Sequence, residues 1–367
     1  MDKKLKIIDT PYPINISDKL IKLLESKKKY IVSYPKIRRI NDVFVTYDGI
    51  VLKNYFLVNG CAFNLIGRQD NTFYYQFWRE AIEKFFISKY GKSIPSIKLD
   101  NNKSYLLIHS KWFNYAFWIN AFLPRLFQAI NELGSQSLNL IAPESWKSIP
   151  FVMDTLDKIN IEIQWVPIDH QIFIKSLIMP ETRKWTSSFN PDIIRYTRSE
   201  LVKYVNINLD KKFPQKIYLT RSKRGNRCAS NEDELMDVLA QYGYQAVTFE
   251  GLTIWEQIQM MSNATHFISI HGAGLSNLMF MKPNSSVLEI INETYATLEY
   301  TFPFWKLANC VDLNYYMLLA QPEYKSNLKL LFGKNKLNND ENTYLVNSNL
   351  VIDINQLLEL VLTMESN

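Results

Sequence analysis

The chain has 367 residues, of which 47% are apolar, 14% aromatic and 21% charged, a folding composition long enough for two domains and too apolar for a disordered segment. Its formal charge of +6 is mild and spread along the chain, which argues against a nucleic-acid partner and suits an anionic small ligand or peripheral association with an acidic membrane surface. No run of about 18 apolar residues is present, no signal peptide is legible, and Cys61, Cys228 and Cys310 lack metal-type spacing, so the expected location is the cytoplasm, extending to the inner face of a membrane.

In chain order, the pattern predicts a helix over 17–30 and a hairpin over 43–53 turning at Asp48-Gly49. An amphipathic helix rich in aromatics follows over 73–90, then a short buried strand over 105–109 and a helix over 115–133. A strand at 138–141, a helix at 144–158 and a strand at 161–166 complete an α/β first half. The stretch 180–191, with Pro180, Trp185 and Pro191, breaks the pattern and is read as the inter-domain connection, leading into a helix over 192–208.

The second half alternates more cleanly. Strands are expected at 216–220, 245–249, 267–270 and 286–291, with helices at 232–242 (stopped by Gly243), 254–263 and 274–280. That order is a doubly wound parallel sheet. A polar, Asn-rich loop is expected over 330–345 and a final amphipathic helix over 354–364. The expected domains are 1–185, 186–350 and a terminal helix over 351–367 that crosses back onto the first lobe.

Two segments at strand ends carry chemistry. His271-Gly272-Ala273-Gly274-Leu275-Ser276-Asn277 follows the apolar strand over 267–270 and opens a helix. The carboxyl end of a parallel strand is where open sheets bind ligands, and a helix N-terminus there favours an anion. The two glycines are read as permitting a sharp turn and close backbone approach, and His271 as a hydrogen bonder to a phosphate or leaving-group oxygen. Thr220-Arg221-Ser222-Lys223-Arg224-Gly225-Asn226-Arg227 ends another strand and is strongly cationic. Arginine forks suit diphosphate oxygens, and fixed cations stabilise a diphosphate leaving group as its charge grows. Glu289, at the end of a third strand, is the ribose-binding candidate, the alternative being a carboxylate that holds a nearby Arg or backbone amide. No Asp-x-Asp pair occurs and no His/Cys/carboxylate cluster has metal spacing, so a metal-independent, cofactor-free site is expected.

The run from Ile217 to Ile290 resembles the catalytic domain of glycosyltransferase family 61. The points of resemblance are Ile217-Tyr218-Leu219-Thr220-Arg221, Arg227, Asn231-Glu232, Glu256-Gln257, His271 to Asn277, Phe280 and Glu289. In the first half, Asn114-Tyr115-Ala116-Phe117-Trp118 and Leu123-Pro124-Arg125 resemble the family's "HW…LPR" segment, with Phe117 where the family usually has His. The resemblance implies a GT-B architecture, two Rossmann-like lobes facing a cleft, and an inverting transfer from a nucleotide-sugar donor to a glycan or other hydroxyl acceptor in polysaccharide or glycan biosynthesis. On that reading Arg221, Arg224 and Arg227 hold the diphosphate. Gly272, Ala273, Gly274, Ser276 and Asn277 complete the donor site, His271 is catalytic, and Trp118 and Arg125 lie on the acceptor side. The base comes from the first lobe, with Asp70 and Glu80 as candidates. Two other readings stay open at this point: a polysaccharide pyruvyltransferase-like enzyme on the same scaffold, and a non-catalytic nucleotide-sugar binder.

Overall fold

In the computed structural model, residues 5–54, 56–58, 96–97, 99–110, 113–168, 170–181, 188–205, 212–221, 227–297, 302–323, 345 and 347–367 are described. They form two compact units, one of residues 1–6 and 32–204, the other of residues 7–31 and 205–367. The division therefore falls at 204–205, beyond the expected 185–186, and the segment 7–31 joins the second unit. That segment carries α1 (Asp18–Lys28), capped by the Ser17 hydroxyl, between the paired strands β1 (Lys6–Asp9) and β2 (Lys29–Val32). The expected helix over 73–90, and with it Asp70 and Glu80, lies outside the described residues.

The first unit is built on an eight-stranded mixed sheet. Its strands are β3 (Ile37–Val45), β4 (Val51–Lys53), β5 (Phe56–Leu57), β6 (Ser96–Ile97), β7 (Tyr105–Leu106), β8 (Asn139–Pro143), β9 (Glu162–Val166) and β10 (Gln171–Pro180). The order is β5-β4-β3-β10-β7-β8-β9, with β6 beside β10. The hairpin between β3 and β4 turns at Asp48-Gly49 as expected. Gly49 has φ +84°, and a Cβ there would lie 2.6 Å from the His109 carbonyl oxygen, so both backbone and space call for glycine. The long strand β10 was not foreseen. Lys175 and Ser176 interrupt its apolar run, yet it joins β3 antiparallel on one side and β7 parallel on the other.

The helix expected over 115–133 forms as Tyr115–Phe117, a π-helical turn Trp118–Phe122 and α2 (Leu123–Leu133), with the Asn114 side chain capping Phe117 N at 3.0 Å. Pro124 explains the wide turn. It has no N–H for the carbonyl four residues back, and Leu123 N instead bonds Trp118 O. The expected helix over 144–158 is divided into a short 3-10 turn, Glu144–Ser148, and α3 (Pro150–Ile159), because Pro150 starts a helix well and continues one badly. The helix α4 (Pro191–Val202), capped by Asn190, closes this unit.

The second unit holds a six-stranded sheet of β11 (Lys216–Leu219), β12 (Gln245–Val247), β13 (His266–Ile270), β14 (Ser286–Asn292), β15 (Asn314–Pro322) and β16 (Leu350–Val351), in the order β12-β11-β13-β14-β15-β16. The first five run parallel and β16 is antiparallel. The helices are α5 (Glu232–Gln241), α6 (Ile254–Asn263), a 3-10 helix Ala273–Phe280, α7 (Glu293–Thr297), α8 (Pro303–Cys310) and α9 (Ile354–Ser366). One face of the sheet, with Tyr218, Ile268, Ile270, Leu288, Ile290 and Tyr316, packs on Leu235 and Leu239 of α5 and on Leu357, Val361 and Met364 of α9. The helix expected to cross back thus buries its apolar face within the second unit. Along the parallel strands the chain order is 2-1-3-4-5, which places the topological switch point between β11 and β13.

Candidate functional site

The carboxyl ends of β11 and β13 bring the two sequence-predicted segments together. Arg221 leaves β11 one residue after Thr220, and its Nη1 donates to the His271 carbonyl at 3.2 Å. A Cβ on Gly272 would sit 3.1 Å from the same Nη1, so the guanidinium lies over Gly272. Gly272 itself is fully extended, φ 175°, and makes no sharp turn. The reason for glycine is therefore the room it leaves for Arg221, not the conformational freedom expected from the sequence. Gly274 is likewise a packing glycine: a Cβ there would meet Leu219 Cδ2 at 2.6 Å, because β11 and the 3-10 helix approach closely.

Arg221 is half-buried. Burial and the nearby Arg227 guanidinium push its pKa below the ordinary arginine value. Arg227 has a left-handed backbone, φ +64°, and its Nε is buried without a hydrogen-bond partner among the described residues. Two guanidinium groups held close in a partly desolvated setting favour an anion between them. The third cation of the loop, Arg224, lies outside the described residues.

The surroundings fix this strand end. Glu232, buried, accepts from Tyr218 Oη at 2.9 Å and from Thr220 Oγ1 at 2.7 Å. The first turn of α5 carries Glu232, Asp233 and Glu234, so its own carboxylates answer the helix dipole. An anion is better received at the turn Gly272-Ala273-Gly274, which is half-buried and begins a helix with no acidic residue in its first turn. Asn231 clamps Ile352 with both side-chain atoms, Nδ2 to the carbonyl at 2.9 Å and Oδ1 to the amide at 3.0 Å.

Several expected contacts are placed otherwise. Ser276 and Asn277 are fully buried, and Asn277 Nδ2 donates to Gln257 Oε1 at 3.2 Å and Gly274 O at 3.3 Å. Asn277 thus holds the turn through the Gly274 carbonyl. Glu256 and Thr253 make a reciprocal cap on α6, and Gln257 bonds Leu252 O at 3.1 Å, so this pair is architectural. Glu289 is 1% exposed. One of its oxygens accepts from His271 Nδ1 and the other from Tyr315 Oη. That geometry is a carboxylate holding two neighbouring side chains, a His and a Tyr in place of the Arg or backbone amide that the sequence offered as the alternative to ribose. His271, 7% exposed, has its ring 4.9 Å from that of Tyr295 and 5.2 Å from that of Phe304.

On the first unit, Trp118 is 0% exposed, with its indole edge-on to Trp146 at 5.3 Å and Nε1 pointing to Thr155 Oγ1 at 3.4 Å. Arg125 is 4% exposed and donates to the carbonyls of Pro180 at 2.8 Å, Leu107 at 3.3 Å and Ile108. Both residues assigned to the acceptor side are therefore interior supports. Phe117 is half-buried and packs on Phe122 at 6.3 Å. Among the described residues, no group of three or more His, Cys, Asp or Glu stands together as a metal cage, and no helix is long and apolar enough to cross a membrane. Sequence reasoning missed Tyr315, which no motif marks, and the buried His109 at the end of β7.

Comparison with known proteins bears on this site. Over 116 residues the chain is 28% identical to protein O-linked-mannose β-1,4-N-acetylglucosaminyltransferase 2 of Xenopus laevis, a stretch that covers 31% of this chain and 20% of that protein. The family model described as Glycosyltransferase 61 matches residues 115–288, which include the helix at 115–133, Arg221, Arg227 and the turn at 271–277. The resemblance to glycosyltransferase family 61 is thus shown over residues 115–288.

Proposed function

We propose that this protein transfers a sugar from a nucleotide-sugar donor to a hydroxyl of a glycan or similar acceptor, with inversion at the anomeric carbon and without a divalent metal. The observation that carries this reading is the convergence of Arg221, Arg227 and the Gly272-Ala273-Gly274 turn at the switch point between β11 and β13. A diphosphate there meets two guanidinium groups and the first N–H groups of the 3-10 helix. These positive groups are fixed before the reaction, so they favour the departing nucleoside diphosphate over the bound donor, on which less charge has accumulated. The arginines do the work a divalent cation does elsewhere, which supports the metal-independent reading. The parallel sheet of the second unit and the parallel strands β7, β8 and β9 of the first are compatible with a GT-B architecture, and the relative's name, an N-acetylglucosaminyltransferase acting on O-linked mannose, supports sugar transfer to a glycan hydroxyl.

Calorimetric titration with uridine, guanosine and cytidine diphosphates tests the site. Arg221→Ala removes about two charge-assisted hydrogen bonds of about 1.5–3 kcal/mol each and weakens binding at least about 100-fold. Full affinity in Arg221→Ala would refute the donor assignment, and a strict requirement for Mn²⁺ in the transfer assay would refute the metal-free mechanism.

A further inference from the structure

His271, Glu289 and Tyr315 form a buried chain behind the donor turn. Glu289 lies in β14 beside Ser269 of β13, and Tyr315 pairs with Val287, two residues earlier on the same sheet face. From there the phenol reaches forward to one carboxylate oxygen while His271 Nδ1 meets the other. A carboxylate only accepts hydrogen bonds, so the Tyr315 hydroxyl and the Nδ1 proton must both be donated. The proton on Nδ1 is thereby assigned by the partner. A neutral imidazole so held presents Nε2 as an acceptor, and a phosphate oxygen, itself an acceptor, is the wrong complement for it.

We propose that Glu289 and Tyr315 lock His271 with its proton on Nδ1, so that Nε2 serves the reaction by accepting a hydrogen bond from a substrate hydroxyl and does not bind phosphate. This rests on the donor-site reading above and reverses the expectation that His271 contacts a phosphate or the leaving group. Diphosphate binding then belongs to Arg221, Arg227 and the backbone, and orientation of a hydroxyl belongs to His271. The hydroxyl is on the donor sugar or is the attacking group of the acceptor. Among the described residues, the charged and titratable groups that face the ring or its backbone include Glu289 on β14, Tyr315 on β15, Tyr295 on α7, and Arg221, which bonds the His271 carbonyl.

The test uses the full chain labelled with ¹⁵N in its histidines, with His271→Gln identifying the signal. Long-range proton–nitrogen spectra at the working pH should show Nδ1 protonated and Nε2 bare. Glu289→Ala, which removes the acceptor, should move the population toward the other tautomer. An Nε2 found protonated in the wild type, alone or together with Nδ1, overturns the inference. Independently, His271→Gln should leave nucleoside diphosphate affinity within about twofold while kcat for transfer falls about 10²–10⁴-fold. Glu289→Gln and Tyr315→Phe should lower kcat with little change in donor KM, and Tyr315→Phe should be the milder. A tenfold loss of nucleoside diphosphate affinity in His271→Gln also overturns the inference. If Arg221→Ala alone loses that affinity, the donor-site reading stands whichever way His271 falls. Donor hydrolysis in water separates the two hydroxyls: equal loss of hydrolysis and transfer assigns the contact to the donor sugar, and loss of transfer alone assigns it to the acceptor.

Discussion

Arg227 should cost the protein stability in exchange for donor binding, and Arg227→Gly should expose that exchange. Three unfavourable features meet at this residue. Its Nε is buried without a partner among the described residues, which costs about 1–3 kcal/mol. Its φ of +64° is a left-handed conformation that costs a non-glycine residue about 1 kcal/mol or more. Its charge also lies close enough to depress the pKa of Arg221. Glycine removes all three and adds about 0.5–1 kcal/mol of backbone entropy loss. The net gain is about 1–2 kcal/mol, or a rise of about 3–6 °C in melting temperature for a unit of this size. Nucleoside diphosphate affinity should move the other way, about 10- to 100-fold weaker, as one charge-assisted contact is lost. Differential scanning calorimetry of the ligand-free protein and titration calorimetry give the two numbers. A variant that melts lower than the wild type with diphosphate affinity unchanged would show that Arg227 is a structural cation and refute the reasoning.

Two further outcomes follow from buried groups. His109, 1% exposed, has its pKa lowered to about 4, first by burial and then, against a backbone hydrogen bond, by Arg125. A histidine with a depressed folded value binds its proton more readily when unfolded, so its contribution is fully present above pH 6.5 and is lost as pH falls toward about 4. At pH 5 the loss is about 2 kcal/mol in urea unfolding, and His109→Gln should flatten that slope; an equally steep fall in the variant would remove His109 as the cause. Gly274→Ala should destabilise by about 1–3 kcal/mol through the collision with Leu219, and Leu219→Ala in the same chain should recover part of it. Additive losses in the double variant would contradict the close approach.

The second unit was legible because its strands are short apolar runs bounded by turn residues, and β11, β13 and β14 fell within one or two residues of their expected limits. The site was legible for a related reason: in a parallel sheet, position along the chain fixes which strand end a residue occupies. Whether a residue faces the ligand or supports the residue that does was not legible. Asn277 and Glu289 sit in the motif as conspicuously as Arg221, yet Asn277 bonds Gln257 and Glu289 holds His271. Those partners come from α6 and β13, whose lateral spacing no local pattern records. Tyr315 was hidden more completely, since it lies on a strand whose run of apolar residues reads equally as a buried helix segment. The strand β10 was not foreseen: Lys175 and Ser176 interrupt its apolar run, while in the fold Ile172, Ile174, Leu177 and Met179 line the core.

The two arginines Arg125 and Arg221 show what the structure adds most clearly. Each belongs to a segment resembling the family, but Arg221 follows the strand β11, whereas Arg125 lies in the helix α2, and the sequence already pointed to a cleft-orienting or structural pairing for Arg125. Arg125 places its guanidinium on the carbonyls of Leu107, Ile108 and Pro180, at the ends of β7 and β10, and is 4% exposed. A cation satisfied by three carbonyls in the interior has its charge answered by the backbone, and no substrate reaches it. Arg221 bonds one carbonyl among the described residues, stays half-buried, and has Arg227 beside it in place of a carboxylate. Its Nη1 lies over the turn where Gly272 leaves room. The same residue type is thus a structural plug in one unit and, on the proposed function, an anion receptor in the other. The difference is the number of carbonyls that the local chain turns toward it.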